Sequence, residues 1–82
     1  MNQQEIEGRL KEIAVKVCDK LEDVEIDTAL ELAKQGMDSL DVLDYVFAVE
    51  TEFSISVDND SFDDAGLGKI SSMTEFLMSR GV

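Results

Sequence analysis

The run Gly36-Met37-Asp38-Ser39-Leu40 holds the side chain best placed to do chemistry in this sequence, the hydroxyl of Ser39. It lies mid-chain, where a turn-rich segment meets a strongly patterned helix. A hydrolytic nucleophile needs a base, and the chain has no histidine, one distant cysteine (Cys18) and no nearby lysine beyond Lys34. A catalytic triad or dyad is therefore not expected. What remains is a hydroxyl on which another enzyme acts. A plainer reading also stands: serine is a preferred helix N-cap, because its oxygen accepts an orphan backbone N–H. Spacing leaves both open. A helix N-terminus also offers positive partial charge and free N–H donors, so it tolerates a phosphodiester.

The second cluster with chemical character is Asp58, Asp60, Asp63 and Asp64. A calcium-binding EF-hand loop opening at Asp58 needs an oxygen ligand at position 62, glycine at 63 and glutamate at 69. Phe62, Asp63 and Lys69 stand there instead, so no metal site is assigned and a solvated acidic loop is the simpler account. Cys18 falls in an apolar helical repeat and reads as a small core residue.

The elements that must position Ser39 follow from periodicity. Ile6, Leu10, Ile13, Ala14, Val17 and Leu21 recur at three- and four-residue steps and predict a first helix from about Gln3 to Leu21. Asn2 with Glu5 forms its capping box. Residues 22–37 read as a long connection anchored by Val24, Ile26, Leu30 and Leu32, with Thr28 and Glu31 capping a turn or two across Ala29 to Gln35. A loop of that length must pack down in a compact domain. A second helix opens at Ser39 and runs to about Phe53. Val42, Val46, Val49 and Phe53 form its core stripe, while Leu40, Asp44, Phe47 and Thr51 gather on another side beside Asp41 and Glu50. Leu40 and Phe47 among carboxylates form an interaction surface or tuck under a neighbouring loop. Ile55 and Val57 alternate like a strand too short to build a sheet. Asp58 to Ser61 starts a short helix anchored by Phe62 and Leu67 and broken by Gly66 and Gly68. Ser72-Met73-Thr74-Glu75 is a capping box for a last helix, with Met73, Phe76 and Leu77 buried and Gly81 as its stop. The fold class is all-α: a small up-down bundle of three main helices plus a short irregular third helix, with a long loop between helices one and two.

The 82 residues form one domain, 44% hydrophobic, large enough to fold without disulfides or metal. The five aromatic residues leave little for an aromatic-rich core. Nineteen acidic residues against seven basic ones give a net charge of −12. That charge repels nucleic acid and anionic membranes, steers basic partner surfaces inward and opposes self-association, so a monomer is expected. No apolar run spans a membrane, stable insertion is not expected, and neither the N-terminus nor the lone cysteine suggests export, so the cytoplasm is the expected location.

Asp38-Ser39-Leu40 followed by Asp41, Leu43, Asp44, Phe47, Glu50 and Phe53 resembles the modified serine and recognition helix of acyl carrier proteins. The resemblance implies that Ser39 carries a 4′-phosphopantetheine arm, attached from coenzyme A by a magnesium-dependent phosphopantetheinyl transferase. The arm's thiol then holds an acyl group as a thioester. It implies further that Asp38, Leu40, Asp41, Asp44, Phe47 and Glu50 dock on basic patches of acyl ligases, synthases or acyltransferases, and that the protein is no enzyme itself.

The chain departs from the family's usual pattern in several places. Gln35 precedes Gly36 where leucine is usual, the recognition helix has Glu50-Thr51-Glu52 rather than consecutive glutamates, and no proline opens the third helix. The stretch from Val57 to Ile70 is also long. These departures point away from primary fatty acid synthesis and towards a specialised carrier, in lipid or polysaccharide acylation or secondary-metabolite assembly. Two alternatives stay open: an aminoacyl or peptidyl carrier, although histidine rather than Asp38 is more usual before its serine, and an unmodified acidic adaptor whose Ser39 only caps.

Overall fold

The computed structural model describes the backbone of residues 1–82 and every side chain except that of Asn59. Its elements are α1 (Gln3–Val17), α2 (Ser39–Phe53), α3 (Asn59–Ala65) and α4 (Ile70–Ser79), with short 3₁₀ turns at Asp19–Leu21 and Leu32–Lys34. The protein is an all-helical bundle in which α1 packs against both α2 and α4. No strand occurs among the described residues.

Helix α1 starts on half of its expected capping box: Asn2 Oδ1 accepts the Glu5 N–H at 2.8 Å, and the Glu5 carboxylate makes no return bond to the Asn2 N–H. Ile6, Leu10, Ile13 and Ala14 are buried along one side. The helix stops at Val17 rather than reaching Leu21. Cys18 turns extended, and the following 3₁₀ turn carries Leu21 fully into the core. The tighter turn keeps Cys18 and Leu21 both facing inward, where the Cys18 thiol lies 3.8 Å from the Gly36 carbonyl oxygen.

The connection to α2 packs down, but on fewer anchors than its apolar content predicts. Ile26, Leu32 and Met37 are buried, whereas Val24 and Leu30 stay exposed. Its helical turn is confined to Leu32–Lys34 and has no side-chain cap from Thr28 or Glu31. The Gln35 carboxamide holds the loop instead: its oxygen accepts the Asp27 N–H, and its nitrogen donates to the carbonyls of Asp27 and Leu30, at 2.8–2.9 Å. Backbone bonds from Leu32 to Gly68 and from Ser71 to Thr28 tie the loop to the start of α4. Those bonds explain a second difference. Helix α4 begins at Ile70 with no side-chain cap, so the Ser72–Glu75 box never forms; the chain is already helical there. Its far end matches expectation. Gly81, at φ +84, passes its N–H to Met78 and the Val82 N–H to Leu77, closing a Schellman motif.

In α2, Val46 and Val49 are buried and Val42 and Phe53 partly so. The helix also buries Tyr45 completely, an aromatic that the core stripe read from the sequence omits. The Ile55–Val57 stretch is extended, but Val57 donates its N–H to Glu50 Oε2 (2.8 Å) rather than to a second strand. Helix α3 is short and local. Asp58 Oδ1 caps it through the Ser61 N–H, and Gly66 ends it at φ +63 with Leu67 fully buried beyond.

Candidate functional site

Ser39 is the first residue of α2, and the capping role predicted for it belongs to Asp38. Asp38 Oδ1 accepts the Asp41 N–H at 2.9 Å, and Asp41 Oδ2 accepts the Asp38 N–H at 3.3 Å, which completes a capping box. The physical reason is backbone geometry. An N-cap keeps extended dihedrals, which Asp38 has (φ −92, ψ −177), while Ser39 is already helical. The Ser39 hydroxyl is thereby freed: it is exposed and makes no hydrogen bond among the described residues.

Three features hold it in place. Gly36, at φ +125, makes the sharp turn into the segment, a conformation that a side chain would strain. Met37 is buried beneath it and donates its N–H to the Leu32 carbonyl. The capping box then starts the helix on the next residue.

Beside Ser39 lies a cleft of about 190 Å³ between α2 and α3. Val42, Leu43, Val46, Val57 and Phe62 wall it, and Ser39 and Asp58 contribute its polar lining. The Asp58 carboxyl is held below its ordinary pKa, first by the backbone N–H of Ser61 and then by the Ser61 side chain, so this lining is anionic at neutral pH. An apolar cleft opening beside a free hydroxyl suits an aliphatic group tethered to that hydroxyl.

The residues predicted to meet partners separate into two sets. Leu40 is 71% exposed and Phe47 56%, with Asp38 and Asp44 exposed near them. Leu43, also exposed, joins Leu40 and Phe47 in a row at steps of three and four. That spacing is present in the sequence, yet leucine at such a position reads equally well as core. Asp41 and Glu50 are partly buried and engaged, Asp41 in the capping box and Glu50 with the Val57 N–H. The wall residues Val57 and Phe62 are far in sequence from Ser39, and no local motif links them to it. No cluster of acidic, cysteine or histidine side chains suited to a metal ion occurs among the described residues.

Fold and site together define a small helical module that presents a bare serine hydroxyl at a helix mouth beside an apolar cleft. The chain belongs to the phosphopantetheine attachment-site family, whose model matches residues 8–77 and so spans nearly the whole domain. Comparison with curated proteins and with solved structures returned no match to the chain. The family's prosthetic group is 4′-phosphopantetheine, and the site fits it. The Asp41 N–H is taken by Asp38, but the N–H groups of Ser39 and Leu40, in the first turn of α2, are left to face a phosphodiester.

Proposed function

We propose that Ser39 is the attachment residue and that the protein is an acyl carrier. The observation that carries this reading is the exposed Ser39 hydroxyl at the first position of α2, opening on a cleft walled by aliphatic and aromatic side chains. In the loading step, Ser39 Oγ attacks the β-phosphorus of coenzyme A. The new bond is Ser39 O–P, the pyrophosphate bond breaks, adenosine 3′,5′-bisphosphate leaves, and the hydroxyl proton passes to the transferase. When bound, the arm supplies a thiol that carries the acyl group as a thioester. This chain's own residues present the hydroxyl, shelter the acyl group and offer the docking surface, and they catalyse none of the steps. The aliphatic lining favours an acyl cargo over an aminoacyl one.

The docking surface in this reading is the Leu40–Leu43–Phe47 row with Asp38 and Asp44 beside it. Asp41 and Glu50 add charge while holding the local backbone. A basic patch on a transferase, acyl ligase, synthase or acyltransferase meets that surface through electrostatic steering and leaves quickly, as a shuttle between enzymes requires. The same charge supports a monomer, the lone cysteine suits a cytoplasmic setting, and the departures from the common pattern around Gln35 and Glu50 support a dedicated pathway.

Intact mass after incubation with coenzyme A, magnesium and a broad-specificity phosphopantetheinyl transferase tests the assignment. Wild type gains one arm and Ser39→Ala gains none. An arm on Ser39→Ala, or none on unmodified wild type, overturns it.

A further inference from the structure

A second cleft, also about 190 Å³, adjoins the one beside Ser39 and is lined by Ala33, Gly66 and Gly68 together with Glu31 and Asp63. The two clefts share two residues, Val42 and Phe62. The tip of the Phe62 ring stands 3.6 Å from where a β-carbon on Gly68 would lie, so the ring reaches across to the glycine-rich turn. Phe62 is only partly buried, on a helix of seven residues.

Resting on the carrier reading above, we propose that Phe62, with Val42, is a partition that sets the length of acyl chain this protein shelters. The occupant is the chain tethered through Ser39, because Ser39 lines the near cleft. A cavity of about 150 Å³ takes a guest of benzene's size, so the near cleft holds roughly six carbons. Longer chains meet the Phe62 ring and their remainder stays in water. Removing the ring joins the clefts and roughly doubles the sheltered length. The absence of side chains at Gly66 and Gly68 keeps the far space open, and Ala33 is the smallest side chain that still bounds it.

The test uses the full-length protein loaded from a series of saturated acyl-coenzyme A thioesters from four to twelve carbons. The rate of thioester cleavage by hydroxylamine is then measured for each length. In wild type, protection rises with length and levels off near six carbons. In Phe62→Ala it continues to rise, and since each further pair of buried methylenes shifts the sheltered equilibrium about tenfold, the longest chains differ from wild type by at least that factor. Ala33→Leu added to Phe62→Ala refills the far cleft and restores the early plateau. Phe62→Val takes away the reach of the ring towards Gly68 with less loss of packing if Phe62→Ala unfolds. Equal plateaus in wild type and the Phe62 variants, or wild-type protection rising through twelve carbons, overturns the partition and leaves the carrier reading intact. Failure of wild type to load at all overturns the carrier reading itself.

Discussion

Three residues show how exchanging one atom or one neighbour changes the balance. The Tyr45 hydroxyl is fully buried and has no hydrogen-bond partner among the described residues. An unpaired buried hydroxyl costs on the order of 1–3 kcal/mol, so Tyr45→Phe raises stability by about 1 kcal/mol in urea unfolding. Burial also pushes the phenol pKa far above its ordinary value near 10. With the folded-state pKa raised, Tyr45 disfavours folding only above the unfolded value. Stability is lost as pH climbs past about 10, at up to roughly 1.4 kcal/mol per pH unit. Tyr45→Phe removes that part of the alkaline loss, which paired unfolding curves at pH 8 and pH 11 measure. At the helix mouth, Asp38→Ala removes a cap and costs about 1 kcal/mol, whereas Ser39→Ala leaves the midpoint nearly unchanged. A Ser39→Ala variant as destabilised as Asp38→Ala would mean that the serine caps after all.

The elements are held as much by single polar side chains as by their own propensity. The loop of residues 22–37 has two large apolar residues exposed and one short 3₁₀ turn, so it owes its shape to the Gln35 carboxamide, which fills both donor positions and its acceptor. Leucine, the family's usual residue there, makes none of these bonds. Gln35→Leu therefore loosens the loop, at about 1–2 kcal/mol for three partly exposed bonds. Faster hydrogen exchange at the Asp27 amide is the measurement, and unchanged protection refutes the clasp. Glu50 acts similarly on α2: its bond to the Val57 N–H holds the backbone that walls the near cleft.

The whole molecule is a strongly charged body of about 31 × 25 × 21 Å. Among the described residues its one ion pair, Arg9 with Glu52 at 2.9 Å, is exposed and joins α1 to α2 without offsetting the −12. At about 0.01 M salt the Debye length of about 30 Å spans the whole protein, and at about 0.15 M it falls to about 8 Å. Added salt therefore raises the thermal midpoint by about 4 °C or more, and magnesium does so at lower concentration. An unchanged midpoint contradicts self-repulsion as a destabilising term. The sequence by itself determined the features that depend on near neighbours: α1 and α2 through their apolar spacing, the start of α3 at Asp58, the Asn2 cap, the glycine stops at Gly66 and Gly81, and the placement of Ser39 at a helix mouth. Tertiary structure decided what depends on residues far apart in the chain. Which of Asp38 and Ser39 caps turned on backbone dihedrals set by the buried Met37 and the Gly36 turn. Periodicity left Tyr45 and Leu43 unassigned, and the packing of α1 against α2 buries Tyr45 and leaves Leu43 exposed. The cleft beside Ser39 exists only where Val57 and Phe62, some twenty residues away, fold back onto Val42 and Val46. Periodicity carries no information about such an encounter.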